Sequence, residues 1–323
     1  MNIAILGGAG FIGSNLADEF IKNGNSVIVI DNLCSSKEGD VNPEAIFKNL
    51  DVLNSRKLSG FIKGAEVVIN CVGTTSSEKD DYRNLTVNNK TALSIADAIS
   101  SSGVKTIINF SDAHVYGKRV HAQTPLEESF VPKDSSSSIY GISKLSSELI
   151  FNNLIGDGIK VIHIRPGLVC GKRQKYGNVL SIFIKYSIDG KIFSVFGEGK
   201  SERDFVHIED LVRMVGLLLD KINYLHSTSY NCGGSSVSIS NLATMVATKY
   251  SGDFVREDVS LGEKSEYTGI RRFPEYIDCM KLSLRKADLE LGYMPVKKIT
   301  DIIADTAWYY VNNKSRWLTY EID

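Results

Sequence analysis

Asn2-Ile3-Ala4-Ile5-Leu6-Gly7-Gly8-Ala9-Gly10-Phe11-Ile12-Gly13 decides how this chain reads. A short apolar run is broken by clustered glycines and resumes as Phe11, Ile12, Leu16 and Phe20 at helical spacing, which predicts strand, tight turn and helix. Such a turn is an entrance for phosphate. Glycine lets the backbone turn tightly and lets a pyrophosphate approach without a Cβ in the way, while the helix start offers free N–H groups and a positive dipole end. Ser26-Val27-Ile28-Val29-Ile30 then reads as a second buried strand ending in Asp31. An acid about 20 residues beyond the glycines is placed to hydrogen-bond both ribose hydroxyls of a dinucleotide.

Working outward, the pattern of strand and helix repeats. Ala45–Leu50 is expected as a third strand, with Asp51 and Val52 at its carboxyl end. There Asp51 either meets an adenine amino group or caps a helix over residues 55–62. Residues 66–70 are expected as a fourth strand, followed by the small and hydroxyl residues Cys71 to Ser77. A long helix is expected over 81–102 and a further strand over 104–110. The alternation predicts an α/β fold: a Rossmann-type doubly wound parallel sheet with right-handed crossovers. Ile139-Tyr140-Gly141-Ile142-Ser143-Lys144 opens an amphipathic helix. Tyrosine and lysine at i and i+4 share a helix face, where an ammonium favours the phenolate and tunes the phenol for acid–base work.

The chain of 323 residues, 43% hydrophobic and 23% charged, can bury a sizeable core, as one large α/β lobe and a smaller one. Its formal net charge of −1 gives no electrostatic case for nucleic acid or an anionic membrane as partner. The first strand begins at residue 2 and no apolar run approaches a membrane span, so a cytoplasmic location without a leader is expected. The five cysteines are scattered without C-x-x-C spacing and the five histidines do not cluster, so neither disulfides nor a metal site is expected. His207, after an expected strand, reads as structural.

The glycine turn, Ile30-Asp31-Asn32-Leu33, Asp51-Val52, Val87-Asn88-Asn89-Lys90-Thr91, Val115-Tyr116-Gly117 and Tyr140-Gly141-Ile142-Ser143-Lys144 together resemble the extended short-chain dehydrogenase/reductase superfamily. The resemblance continues through residues 164–171, 196–210 and 230–234, and within the superfamily is strongest to the NAD-dependent nucleotide-sugar epimerase/dehydratase family, of UDP-glucose 4-epimerase type. It implies an NAD-binding Rossmann domain over 1–165, with segments near 204–232 returning to it, and a discontinuous nucleotide-sugar lobe over 166–323. It also implies Tyr140 as catalytic tyrosine and Lys144 as the group that tunes it and contacts the nicotinamide ribose. Gly7, Gly10, Phe11, Ile12, Gly13, Asp31, Asn32, Asp51, Val52 and Asn88 match cofactor-binding or turn-supporting positions, and Asp31 favours NAD over NADP by repelling a 2′-phosphate. Asn178, Arg203 and Arg272 match positions that hold the nucleotide diphosphate, for which the arginine fork is suited. A homodimer through the helices at 81–102 and 140 onward is implied as well.

Two positions depart from the pattern. Asp112 stands three residues before Val115-Tyr116-Gly117, where the family carries a Ser or Thr bonded to the reacting sugar oxygen, and Leu168 stands where epimerases carry Asn. A carboxylate about 6 Å from Tyr140 would oppose a phenolate by about 3 kcal/mol, so Asp112 is expected to be turned away, protonated, or engaged by His114. Neighbouring Ser111 is the favoured hydroxyl donor, because it needs no pKa shift. Ala113-His114 replaces the Asp-Glu pair of the dehydratases and argues against dehydration. The activity expected is 4-epimerisation of a nucleotide-linked hexose, UDP-linked, in polysaccharide or O-antigen precursor synthesis. The alternatives are a reductase of a nucleotide 4-keto-sugar and a non-catalytic cofactor-binding homologue.

Overall fold

A computed structural model describes residues 1–74, 81–117, 125–130, 138–260, 263–268 and 279–314. Seven strands make the main sheet: β1 (Asn2–Leu6), β2 (Ser26–Asp31), β3 (Ile46–Asn49), β4 (Val67–Asn70), β5 (Thr106–Phe110), β6 (Lys160–Pro166) and, returning from much later in the chain, β10 (Thr228–Cys232). Their order is β10-β6-β5-β4-β1-β2-β3 and every pairing is parallel. The doubly wound sheet is therefore as expected, with the third, fourth and fifth strands one or two residues shorter at their ends than the apolar runs suggested.

Side-chain alternation explains why β1 reads as an unbroken apolar run. Ile3 and Ile5 pack into a core with Leu16, Ala17 and Phe20 of α1 (Phe11–Lys22) and with α6 (Ile208–Lys221). Ala4 and Leu6 face the opposite core, with Leu58 and Ile62 of α2 (Ser55–Ile62), Ile95 and Ile99 of α3 (Asp81–Ser102), and Phe151 of α4 (Ile139–Asn152). A strand buried on both faces has no polar side to show. The chain leaves β1 towards β2 and β3 on one side, and β4, β5 and β6 lie on the other. The reversal opens a crevice beyond the carboxyl ends of β1 and β4, the place where open α/β sheets bind ligands.

A separate three-stranded sheet is ordered β11-β9-β7, from β7 (Leu168–Cys170), β9 (Glu202–His207) and β11 (Ser235–Ser238). A parallel pair, β8 (Phe193–Phe196) with β12 (Phe254–Glu257), lies beside it. Its core joins Phe183 and Ile184 of α5 (Val179–Ile188), Leu242 and Val246 of α7 (Ile239–Tyr250), and Ile302 and Tyr310 of α9 (Ile299–Asn312). The short α8 (Arg285–Leu291) packs Ala287 and Leu291 against the main core. Among the described residues no helix is long and apolar enough to cross a membrane.

Candidate active site

The glycine turn is fixed by close approach. Gly7 has φ of 71°, in the left-handed region, and a Cβ on Gly13 would lie 2.4 Å from the Gly7 carbonyl oxygen, so α1 seats on β1 only if residue 13 has no side chain. Gly10 caps α1 without a side-chain bond, and the first helical N–H to bond back is that of Ser14, to Gly10 O at 3.0 Å. The N–H groups of Phe11, Ile12 and Gly13 therefore point out of the helix start, as a phosphate requires. Asp31, buried at the end of β2, faces this turn. Its Oδ2 accepts from Ala9 N at 3.1 Å, and its Oδ1 accepts from Leu33 N at 2.8 Å and Ser36 Oγ at 3.0 Å. These residues fit a dinucleotide: a cradle that a Cβ would fill, a helix start, and an acid at its far end.

Beside it, Asn32 donates to Asp51 Oδ2 at 3.2 Å, while Asp51 Oδ1 accepts from Leu53 N at 2.9 Å. Asp51 does not cap α2. Asn54 does, accepting from Lys57 N at 3.1 Å, because the turn through residues 51–54 places Asn54 at the first free N–H groups. Val52 is buried in the sheet's second core. Asn88 of α3 is buried too: it accepts from Thr74 N at 2.9 Å and donates to Ser143 Oγ at 2.9 Å, tying the loop after β4 to α3 and α4.

Tyr140 sits in the first turn of α4, capped by Ser138, whose Oγ accepts from Gly141 N at 3.0 Å. A Cβ on Gly141 would lie 2.4 Å from the His114 carbonyl oxygen, so glycine there lets α4 close onto the 3₁₀ turn Ala113–Tyr116. That contact brings Tyr140 Oη to Asp112, donating to Oδ2 at 3.1 Å. Asp112 Oδ1 accepts from the His114 backbone N–H at 2.8 Å and from His114 Nδ1 at 2.5 Å. Lys144 Nζ donates to Phe110 O at 3.1 Å, at the end of β5, and lies 5.9 Å from the Tyr140 ring centre.

Charge is distributed accordingly. Burial pushes the Asp112 carboxyl up, but the charge and hydrogen bonds of His114, with Lys144, more than offset it and hold it below the usual range. Burial, then the Asp112 charge and hydrogen bond, push the Tyr140 phenol well above its ordinary value. Burial lowers the Lys144 ammonium, against the opposing pull of Asp112, Cys71 and Glu148.

The hydrogen-bond partner of the Tyr140 phenol is Asp112, engaged by His114 as one of the three anticipated arrangements had it. The Ser111 hydroxyl is buried beside the Glu148 carboxylate, roughly two turns along α4 from Tyr140, and it is Asp112 that meets the phenol. Asn178 caps α5, accepting from Ser181 N at 2.9 Å, with Nδ2 towards Cys170 Sγ at 3.7 Å; it is a helix cap in this conformation. Arg203 on β9 donates to the Glu202 carbonyl at 2.9 Å. Arg272 lies outside the described residues. His207 caps α6 through Nδ1, accepting from Glu209 N at 3.2 Å.

Sequence reasoning missed Glu148 and Arg165. The Arg165 fork donates to both Glu148 oxygens, Nε to Oε1 at 2.9 Å and Nη2 to Oε2 at 2.7 Å, and so pins α4 to β6 beneath the site. The signal was Glu148 itself, one further i+4 step along the Tyr140–Lys144 face.

A model of the NAD-dependent epimerase/dehydratase family matches residues 3–233. UDP-glucose 4-epimerase of Lacticaseibacillus casei is 26% identical, across 97% of this chain and 97% of its own length. The structure of UDP-glucose 4-epimerase with UDP-glucose from Thermotoga maritima matches with a TM-score of 0.85 at 27% identity, covering 97% of this chain and all of that one. A dTDP-glucose 4,6-dehydratase of Streptomyces venezuelae also reaches 0.85, at 20% identity, so overall shape does not separate the two chemistries. With the glycine turn, Asp31 and the Tyr140–Lys144 pair all placed around one crevice, the chain belongs to the NAD-dependent epimerase/dehydratase family, of the extended short-chain dehydrogenase/reductase type.

Proposed function

We propose that the protein is an NAD-dependent isomerase that inverts carbon 4 of a nucleotide-linked hexose, UDP-linked, in cytoplasmic polysaccharide or O-antigen precursor synthesis. The observation that carries this reading is the convergence of Tyr140 Oη, Asp112 and Lys144 beyond the carboxyl end of β5, next to the crevice of the glycine turn. In this reading the first lobe, residues 1–165 with the returning segments near 204–232, holds NAD, and the lobe over 166–323 holds the nucleotide sugar.

NAD would lie with its pyrophosphate on the N–H groups of Phe11, Ile12 and Gly13 and a ribose at Asp31, and when bound it supplies reversible acceptance of hydride from the sugar. The chain's own residues handle the proton and the orientation. With its own hydrogen given to Asp112, Tyr140 Oη keeps its lone pairs to accept the hydrogen of the sugar hydroxyl, and Lys144, braced by Phe110 O, supplies a fixed positive charge beside it. Arg203 and Arg272 would grip the diphosphate. Turning of the 4-keto sugar between the two transfers gives inversion, and the cofactor is regenerated in each cycle.

A reductase of a nucleotide 4-keto-sugar is the second reading, favoured by one feature: the Asp112 bond keeps a proton on Tyr140, ready for delivery to a ketone. Incubation of the purified protein with a panel of UDP-hexoses, and separately with a nucleotide 4-keto-hexose and NADH, separates the two. The epimerase reading expects interconversion at carbon 4 with bound NAD retained, and net consumption of reduced cofactor would overturn it.

A further inference from the structure

We propose that Asp112, and not Tyr140, stores the proton taken from the sugar hydroxyl, while Tyr140 stays neutral and relays it. The inference rests on the reading above that a sugar hydroxyl is oxidised at this site, and changes which group is the base.

An ionised carboxylate only accepts, so the hydrogen between Tyr140 Oη and Asp112 Oδ2, 3.1 Å apart, belongs to the phenol. That leaves the phenol oxygen with lone pairs to accept and no second proton to give. A phenolate here would sit in hydrogen-bond contact with a second anion, and like charges in contact do not both persist. The carboxylate is the better held of the two. Its Oδ1 has the His114 backbone N–H and His114 Nδ1, and it feels the Lys144 ammonium across the site. Lys144 donates to Phe110 O at 3.1 Å and stands 5.9 Å from the Tyr140 ring centre. Among the described residues the groups facing the pair are Lys144 from α4 and His114 from the 3₁₀ turn, with Cys71 after β4 and Glu148 acting on Lys144. The directions of the acidities agree with this geometry: the carboxyl is held low and the phenol high.

The protons balance without any phenolate. The sugar O–H bond breaks and a Tyr140 O–H bond forms; the original Tyr140 O–H bond breaks and an Asp112 Oδ2–H bond forms. The carboxylate becomes a neutral carboxyl, the sugar C=O forms as the carbinol C–H electron pair leaves in the oxidation already described, and the return leg reverses each bond. His114 is a positioning residue in this scheme. Its side chain is 35% exposed and its ring meets the Tyr140 ring edge-on at 5.4 Å, so it holds both the carboxylate and the phenol in register.

The test compares wild type with Asp112→Asn and His114→Ala. The ultraviolet phenolate signal of Tyr140 is isolated as the difference from Tyr140→Phe. In wild type Tyr140 should ionise only above about pH 10, the value of a free phenol, and Asp112→Asn should bring that midpoint down by about one pH unit or more. Tyr140 ionising near neutral pH in wild type would overturn the proposal, and this readout needs no substrate. With UDP-glucose, Asp112→Asn should lower turnover on the order of a hundredfold, the scale of a positioned base. A phenolate base would instead gain from losing the opposing charge, so unchanged or higher turnover contradicts the proposal. His114→Ala should shift the acid limb of the turnover profile to higher pH, because Asp112 loses the donor that holds it ionised; an unmoved limb contradicts it. If no nucleotide hexose is turned over, the epimerase reading fails by itself, and the Tyr140 titration still decides between the two anions.

Discussion

Replacing Glu148 by Gln tests what holds α4, and with it Tyr140, against the sheet. The Glu148 and Arg165 side chains are only 4% and 10% exposed, and the arginine fork meets both carboxylate oxygens. Arg165 Nη1 also donates to Tyr116 Oη at 3.2 Å and to Glu128 O at 3.0 Å, so the guanidinium cannot swing to solvent without breaking both of these contacts as well. Glu148→Gln leaves that cation buried without its counter-charge. Removing one partner of a buried pair costs about 3–5 kcal/mol, and replacing both by apolar residues of similar volume costs much less. Urea unfolding at pH 7 should therefore show Glu148→Gln destabilised by about 3–5 kcal/mol, and Glu148→Leu combined with Arg165→Met closer to wild type. The sign of the pH dependence follows from the same contact. Burial raises the Glu148 carboxyl, but the hydrogen bonds and charge of Arg165 outweigh it and hold it below its ordinary range. Its stabilisation is complete above the unfolded value of about 4.3 and is lost as pH falls through the lower folded value. The gap between wild type and Glu148→Gln should narrow in acid. A single-variant cost below about 1 kcal/mol, the size of a surface pair, would refute the reasoning.

Asp31→Ala should narrow the preference for NAD over NADP in calorimetry, since each lost hydrogen bond to the charged group is worth about 1–3 kcal/mol; an unchanged ratio of affinities would contradict the assignment. Asp204 carries the opposite pH signature from Glu148: burial, only partly offset by the N–H groups of Gly234 and Leu282, raises it to about 6. It stabilises the fold most below its unfolded value and loses about 3 kcal/mol of that contribution as pH rises from about 4 to 6, a slope that unfolding curves of Asp204→Asn should lack. Light scattering at micromolar concentration should return a dimer mass, because α3 and α4 leave Leu93, Ile142 and Leu149 exposed at 58%, 44% and 59%; a monomer would count against that face as an interface.

What was legible in the sequence is what local geometry enforces. Gly13 cannot carry a Cβ against Gly7 O, so the strand–turn–helix is written in consecutive residues, and Tyr140 with Lys144 follows from helix periodicity alone. The apolar run of β1 announced a strand, and the structure buries it on both faces. The rest depends on which way a side chain points once distant segments have packed. Ser111 and Asp112 are adjacent, and only the extended backbone after β5, set by its pairing with β4 and β6, decides that Asp112 faces Tyr140. Glu148 and Arg165 meet across the gap between α4 and β6, and Asn54 and Asn178 were free to cap helices because turn geometry put them at the first N–H groups. A residue type in a family position names a candidate; the hydrogen bonds it already makes determine what remains of it for a ligand.

The measurement that bears most directly on the central claim is incubation of the purified protein, with bound NAD quantified by mass analysis before and after, with UDP-glucose and other UDP-hexoses, reading configuration at carbon 4 by NMR. The account predicts inversion at carbon 4 with the nicotinamide content unchanged over many turnovers. Configuration retained at carbon 4, or one nicotinamide left reduced for each sugar converted, would contradict it.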